Sequence, residues 1–281
     1  MYYEKTEDRN VRCLLCPHRC IIKPGGLGTC RARKNVDGDL YSLNYGKITS
    51  ISLDPIEKKP LNRFHPGSRI LSVGTFGCNL KCSFCQNWGI AHENPQTLEV
   101  TPGQVVEKAL ETRNDRNIGI AYTYNEPSIW YEFVYETSRL AKEHNLANVL
   151  VTNGFIGEEP LKNLLPYVDA MNIDVKAFTE KFYKDICKAS IPNVKSTVET
   201  AAPKCHVEVT TLVIPGLNDS MQEIEELSKW LASISNEIPL HLSRFFPAYR
   251  MRDRQPTPVD TLLSARDVAR RHLKYVFVGN V

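Results

Sequence analysis

Three cysteines in the pattern C-x3-C-x2-C carry the strongest chemical signal in the sequence: Cys78, Cys82 and Cys85. Iron–sulfur cubanes are normally held by four thiolates, so a loop with three thiolates leaves one iron open to another ligand. Catalytic zinc sites keep an open position in the same way. The spacing therefore predicts a metal centre with a vacant position. The alternatives are a zinc site that lacks its fourth ligand and three unrelated buried thiols.

A second group of cysteines lies near the N-terminus and consists of Cys13, Cys16, Cys20 and Cys30. Four soft ligands on a loop rich in Gly and Pro could close around one metal ion or a second cluster, with no position left open. The loop is too short for a core of its own, so bound metal would supply folding free energy. The spacing is consistent both with an auxiliary redox cluster and with a structural zinc or iron site.

Polar side chains follow several apolar runs that are typical of strands. If the strands are parallel, their carboxyl ends meet at one edge of the sheet, where such residues usually carry the chemistry. The candidates, in chain order, are Asn125, Glu126, Thr152, Asn153, Asp174, Lys176 and His241.

Each of these candidates also has a structural interpretation. Glu126 could accept hydrogen bonds from the free amides at the start of a helix. Asp174 and Lys176 are two residues apart on a strand and so point to one face, where they could form a site or a core salt bridge. His241 could face the site as a polar wall, or it could be a hydrogen-bonded core histidine.

The elements that must position these residues alternate between strands and helices. The apolar run 70–76 leads into the three-cysteine loop, and Gly74 and Gly77 allow a backbone path that other residues would resist. Capping patterns predict helix starts at Thr101, with Gln104, and at Ser220. Further strands are predicted near residues 118–124, 149–152, 170–175, 207–214, 239–245 and 275–278, and further helices near residues 128–144, 158–167 and 260–273.

This alternation predicts an α/β fold with a parallel sheet. A complete eightfold barrel takes about 250 residues, so residues 69–281 suit six βα units and an extra strand. Residues 36–53 favour a short β-hairpin or meander, and a polar link over 54–60 follows. We place the boundary near residue 68, between a Cys-rich, β-containing metal-binding region over 1–67 and the main domain over 68–281.

Composition and charge give no support to several classes of function. The net charge of +3, from 35 basic and 32 acidic residues, gives no argument for nucleic acid or anionic membrane. No run approaches the roughly 18 apolar residues of a membrane span, and the N-terminus lacks the apolar core of a signal peptide, so we expect a cytoplasmic location.

Seven of the nine cysteines lie in the two groups, which favours metal over disulfides. We interpret Cys187 and Cys205 as inert buried thiols.

The C-x3-C-x2-C pattern, with the aromatic Phe84 before its last cysteine, resembles the signature of the radical S-adenosylmethionine (SAM) superfamily. The run from Asn79 to Trp88, together with Thr-Asn-Gly and Asp-x-Lys, resembles the glycyl-radical, or pyruvate formate-lyase, activating enzymes. The four-cysteine motif, residues 54–61, Thr-Tyr-Asn-Glu-Pro and His-Leu-Ser-Arg-Phe look more like the AmmeMemoRadiSam subgroup. The latter resemblance covers nearly the whole chain and is the closer of the two.

The resemblance implies a partial (β/α)6 TIM-type barrel with a 4Fe–4S cluster on the three-cysteine loop, and SAM on the open iron. It places Phe84 near the adenine. From the alternation along its strand, we expect His241 to face the site, near SAM or as a polar wall. Glu126 would receive the SAM amino group, although Tyr124 and Asn125 stand where the family motif has glycines. The resemblance also implies that Asp174 and Lys176 lie near the SAM carboxylate, where some relatives hold a monovalent cation. Thr152 and Asn153, at the end of the neighbouring strand, would contribute to the same SAM site.

The implied function is an oxidoreductase that reductively cleaves SAM to a 5′-deoxyadenosyl radical for hydrogen abstraction, as activating enzymes do on a protein glycine. The implied partners are a flavodoxin- or ferredoxin-like electron donor and a protein substrate. One alternative is a radical SAM enzyme that acts on a small molecule or RNA, although near-neutral charge weighs against nucleic acid. The other is a non-catalytic iron–sulfur sensor, which would leave the polar strand ends as coincidences.

Overall fold

The computed structural model describes all residues from Met1 to Val281, and eight of its strands form one central sheet. The strands are β1 (Tyr3–Lys5), β2 (Val11–Cys13), β3 (Ile21–Ile22), β4 (Arg33–Val36), β5 (Asp39–Ser42), β6 (Lys47–Ile48), β7 (Ser50–Pro55), β8 (Arg69–Gly74), β9 (Leu98–Glu99), β10 (Asn117–Tyr122), β11 (Ala147–Thr152), β12 (Ala170–Asp174), β13 (His206–Val213), β14 (Leu240–Arg244) and β15 (Val276–Gly279). The α-helices are α1 (Trp88–His92), α2 (Pro102–Glu111), α3 (Tyr131–Glu143), α4 (Glu158–Leu164), α5 (Glu180–Phe182), α6 (Ile191–Ala201), α7 (Met221–Ile234) and α8 (Val259–Ala269).

The central sheet is parallel except at one edge. Strands β8 and β10 to β15 lie side by side in the order β8-β10-β11-β12-β13-β14-β15, and β7 adds an antiparallel strand beside β8. The edge strands β7 and β15 do not pair with each other, so the sheet is an open, partial barrel. The predicted α/β partial barrel with its small N-terminal β region is therefore confirmed. No helix is both long and apolar enough to cross a membrane.

Local sequence explains the helix starts. The Thr101 hydroxyl accepts the Gln104 N–H at 3.2 Å, and the Gln104 side chain accepts the Thr101 N–H at 2.9 Å, which completes the predicted capping box. Ser220 caps α7 as predicted, by accepting the Glu223 N–H at 3.2 Å. The Glu223 carboxylate does not return to the cap, because it accepts the Phe178 N–H at 2.6 Å instead.

The N-terminal region is built from short strands. Strands β1 to β3 form one small sheet, and β4 and β5 form a hairpin that turns at Asp37 and Gly38, within the stretch where a hairpin is predicted. Strand β7 belongs to the central sheet, because Ser50 to Pro55 pair with Gly74 to Arg69 along the free edge of β8. The first strand of the main sheet thus precedes residue 68, near which the boundary between the two regions is predicted. The division into two regions stays a prediction.

Two glycines define the path from β8 into the three-cysteine loop. Gly77 has a φ of +88°, and a Cβ at this position would lie 2.6 Å from the carbonyl oxygen of Cys30. A Cβ at Gly74 would lie 2.8 Å from Cδ2 of Tyr124. The loop therefore runs against the N-terminal region on one side and against the end of β10 on the other, with no room for side chains at these two points.

We expect Gly77→Ala to destabilise the protein. A left-handed φ alone costs an alanine about 1–2 kcal/mol, and the close approach to Cys30 adds to this cost. Urea unfolding of the variant and the wild type measures the effect. Gly89→Ala is the matched control, because its φ is not left-handed and nothing lies within 4 Å of the added Cβ. Equal stability of Gly77→Ala and Gly89→Ala would contradict this description of the loop.

Candidate active site

A cavity of about 320 Å³ lies at the carboxyl edge of the sheet and brings the predicted site residues together. All three cysteines of the C-x3-C-x2-C loop line it, and so do seven of the eight residues predicted to hold the cofactor. These seven are Phe84, Asn125, Glu126, Thr152, Asn153, Asp174 and Lys176; His241 does not line the cavity.

Three asparagine side chains hold the three-cysteine loop in place. The fully buried Asn79 donates from Nδ2 to the carbonyl of Phe155 at 2.7 Å and accepts from Nδ2 of Asn153 at 2.9 Å. Asn125 donates from Nδ2 to the carbonyl of Gly77 at 2.8 Å. Because these bonds join the loop to the ends of β10 and β11, they fix the cysteines relative to the cavity. Asn79 was not singled out from the sequence, although it lies inside the motif.

The three thiols form a donor set that fits an iron–sulfur cluster. Burial raises the pKa of Cys78, and it raises the pKa of Cys85 to about 11, so these thiols stay protonated until a metal displaces the proton. The Cys78 Sγ already accepts the Leu80 N–H at 3.4 Å and lies 3.7 Å from Nδ2 of Asn153. N–H donors directed at sulfur are what a cluster thiolate needs.

A fourth thiol, Cys187, lies beside this loop. It ends a short π-helical turn, Tyr183–Cys187, and its carbonyl accepts the Lys81 N–H at 2.8 Å. The pKa of Cys82 is raised, first by a hydrogen bond with Cys187 and to a smaller extent by burial. The sequence predicts an inert buried thiol at Cys187, and no spacing signal indicates its position next to the motif, because the contact joins residues far apart in the chain.

Glu126 accepts hydrogen bonds at the start of the short helical turn that follows it, and it also lines the cavity. Its Oε1 accepts the Thr152 hydroxyl at 2.7 Å and the Ser128 N–H at 2.9 Å, and its Oε2 accepts the Asn153 N–H at 2.8 Å. Burial raises the pKa of Glu126, and these hydrogen bonds oppose that shift. A carboxylate has about four acceptor positions, so one remains for a cationic group in the cavity.

Asp174 and Lys176 form an ion pair in the wall of the cavity. Nζ of Lys176 lies 2.6 Å from Oδ2 of Asp174, and the two side chains are 17% and 30% exposed, respectively. Burial alone would lower the pKa of Lys176, but the Asp174 carboxylate outweighs this effect and raises it. The ammonium group therefore stays charged and faces a space in which a ligand carboxylate could lie.

A second ion pair, which was not identified as part of the site from the sequence, lies across the cavity. Lys59, only 4% exposed, places Nζ 2.8 Å from Oδ2 of Asp54 and 4.7 Å from the ring centroid of Tyr124. The Tyr124 hydroxyl donates to the same Oδ2 at 2.8 Å. Partial burial would raise the pKa of Asp54, but these two donors lower it to about 2. The sequence shows only a polar link here, because the burial arises when β7 joins the central sheet.

His241 does not line the cavity but bonds to a buried carboxylate. Its Nε2 is 2.6 Å from Oε2 of the fully buried Glu208, and the other carboxylate oxygen contacts Nε2 of His206 at 2.9 Å. Ser243, two residues further along β14, is the residue that lines the cavity. Alternation places His241 and Ser243 on one face, but the His241 side chain is bonded to Glu208 and does not line the cavity.

Comparisons with known proteins agree with this geometry. Residues 72–231, more than half of the chain, match the model of the Radical SAM superfamily. The whole chain is 45% identical to an uncharacterized protein of Methanocaldococcus jannaschii and covers 84% of its length. Pyruvate formate-lyase 1-activating enzyme of Escherichia coli is 23% identical over 61% of this chain and 71% of its own. The crystal structure of Streptococcus suis SuiB bound to S-adenosylmethionine superposes with a TM-score of 0.59, at 11% identity, over 75% of this chain and 52% of that one.

We expect Lys176→Met to weaken SAM binding about tenfold to a hundredfold. A hydrogen bond to a charged group is worth about 1.5–3 kcal/mol, and each 1.4 kcal/mol corresponds to about a factor of ten in affinity. Calorimetric titration with SAM measures the change, and iron content should stay at the wild-type level. A core salt bridge would behave differently, because its loss would lower the melting temperature and leave SAM affinity unchanged. That second pattern would remove the pair from the site.

Proposed function

The chain belongs to the radical SAM superfamily, and from that premise we propose that it reductively cleaves SAM to generate a 5′-deoxyadenosyl radical, which removes a hydrogen atom from a protein glycine. This activity is that of the glycyl-radical activating enzymes. The observation that carries the proposal is the shared cavity, into which the three thiols, Glu126 and Lys176 all face from three different segments of the chain. A non-catalytic sensor would need the thiols but not the other two groups.

The residues of the chain have separate tasks in this proposal. Cys78, Cys82 and Cys85 bind a 4Fe–4S cluster, which supplies the electron for SAM cleavage when reduced. Glu126 receives the SAM amino group at its remaining acceptor position, and Lys176 donates to the SAM carboxylate. Both charges are held in place by neighbours before SAM enters, so little reorganisation accompanies binding.

The apolar and polar walls complete the site. Phe84, which is buried and tilted against Phe182 with ring centroids 6.0 Å apart, borders the adenosyl group. Asp174 orients Lys176 or holds a monovalent cation beside the same carboxylate. Thr152 and Asn153 act mainly through Glu126, because both donate to its carboxylate. Enclosure of the site protects the radical from water and directs it to the intended hydrogen.

Two partners follow from this chemistry. A flavodoxin- or ferredoxin-like protein supplies the electron, because no side chain of the cavity can act as a reductant of sufficiently low potential. The hydrogen donor is a glycine of a protein segment that enters the cavity mouth. The similarity to pyruvate formate-lyase 1-activating enzyme over 61% of the chain supports this choice of substrate class.

We expect the triple variant Cys78→Ala, Cys82→Ala, Cys85→Ala to form no 5′-deoxyadenosine when reduced protein is incubated with SAM. The wild type and a Cys205→Ala control, which changes a cysteine outside the loop, should both form it. Chromatography of the nucleoside products measures the difference. Equal cleavage by the triple variant would show that the loop does not hold the catalytic cluster.

Isotope transfer then tests the substrate class. A glycyl-radical enzyme of the pyruvate formate-lyase type, labelled with deuterium at its glycine α-carbons, is added to the reduced protein and SAM. The proposal predicts deuterium in the 5′-deoxyadenosine and an organic radical signal on the partner. SAM cleavage without deuterium transfer from any such partner would instead favour a small molecule or RNA. No cleavage at all would favour a sensor.

A further inference from the structure

The four N-terminal cysteines converge on one small pocket that the proposed function does not use. Cys13 ends β2, Cys20 directly precedes β3, and Cys16 and Cys30 lie on the loops between these strands and β4. All four line the same pocket, and all four are free thiols. Cys13, Cys16 and Cys30 are at most 9% exposed, and only Cys20 is partly open to solvent.

The backbone around this pocket keeps the four cysteines together. The Cys13 N–H donates to the carbonyl of Cys20 at 2.9 Å, which closes the loop between β2 and β3. The Arg19 N–H donates to the carbonyl of Cys16 at 3.1 Å and forms a turn inside that loop. The flanking strands have only two to four residues each, so the sheet hydrogen bonds alone give this region little stability.

A buried cation with an unsatisfied donor lines the same pocket. Arg33 is 2% exposed, and its two terminal nitrogens donate to the carboxylate of Glu132 at 2.8 and 2.6 Å. Its Nε is buried and has no hydrogen-bond partner. A buried N–H without an acceptor is costly, and neutral thiols are weak acceptors. Thiolates bound to a metal would supply both a strong acceptor and the negative charge that a buried guanidinium favours.

The pocket also touches the three-cysteine loop directly. Nε2 of His18 lies 2.7 Å from the carbonyl oxygen of Asn79, so this ring nitrogen carries a hydrogen and cannot be a metal ligand at the same time. The carbonyl oxygen of Cys30 abuts Gly77, where a Cβ would lie only 2.6 Å away. The order of the N-terminal loop is therefore linked to the position of Cys78.

From these contacts we propose that Cys13, Cys16, Cys20 and Cys30 bind a metal centre through four thiolates, that Nε of Arg33 donates to one of those sulfurs, and that this centre supports the three-cysteine loop. The shared ligand chemistry fits a zinc ion or an iron–sulfur cluster. No three His, Cys, Asp or Glu side chains stand in metal-binding geometry as they are, so the thiols rotate into the pocket on binding. The proposal does not depend on SAM cleavage.

Metal analysis tests this site in a variant whose three-cysteine loop can no longer bind metal. The Cys78→Ala, Cys82→Ala, Cys85→Ala variant, prepared without oxygen, should retain about one zinc, or about four irons with matching sulfide, per chain. Zinc without sulfide identifies a single ion, and sulfide identifies a cluster. Further replacement of Cys13 and Cys16 by alanine should remove that metal. A triple variant that is folded but contains no metal would overturn the proposal.

The wild-type protein gives the same answer if the triple variant does not fold. Its metal content should then exceed the four irons of one cluster, either by about one zinc or by about four more irons. Four irons without zinc would overturn the proposal. X-ray absorption at the zinc edge should show sulfur ligands at about 2.3 Å if zinc is the metal.

Replacement of Arg33 tests its part separately. Arg33→Lys keeps a positive charge opposite Glu132 but removes the Nε donor, and we expect it to speed loss of the N-terminal metal to a chelator about tenfold, as second-sphere changes commonly do. Glu132→Gln is the matched control, because it weakens the ion pair without changing the pocket. If Arg33 is only structural, both variants will lower the melting temperature and neither will change the rate of metal loss.

Discussion

The three-cysteine loop has no regular secondary structure and yet lies largely inside the protein, so its position depends on hydrogen bonds from side chains. Asn79, Asn125 and Asn153 provide these bonds and tie the loop to the ends of β10 and β11. A buried loop with unsatisfied backbone groups would be costly, which makes the three amides a condition for the site. The donors directed at Cys78 and the position of Phe84 both follow from the loop being held there.

Apart from Glu126, whose carboxylate is held by neutral donors, the buried charges around the cavity are arranged in compensated pairs. Lys176 faces Asp174, and Lys59 faces Asp54 with the Tyr124 hydroxyl. An unpaired charge in such a space would shift its pKa or destabilise the fold, whereas a paired one stays ionised and ready for a ligand. Tyr124 adopts a φ of 70° at the position where the family motif has glycine, so a side chain is kept there despite the strain. The contacts of the Tyr124 side chain with Lys59 and Asp54 explain why a tyrosine is kept at this position.

Sequence patterns sufficed for features set by local spacing. Strands β8 and β10 to β15, the cap at Thr101 and the convergence of polar strand ends follow from periodicity and from the geometry of parallel sheets. Features that depend on depth or on distant contacts did not follow. His241 has the expected face, but its side chain bonds to Glu208 instead of lining the cavity. Cys187 reaches the loop only because a π-helical turn packs against it. Lys59 becomes a site residue because β7 joins the main sheet, and no local pattern shows that pairing.

The N-terminal region and the barrel thus form one structural unit around the loop, through His18 on one side and the end of β11 on the other. We propose that this unit holds a cluster with one open iron, to which SAM binds. Electron–nuclear double resonance of the reduced protein, with SAM labelled by ¹⁵N at its amino group, tests for that bond. Direct coordination of the amino group to iron should give a ¹⁵N hyperfine coupling in the wild type. A cluster signal that SAM leaves unchanged, with no nitrogen coupling, would contradict it.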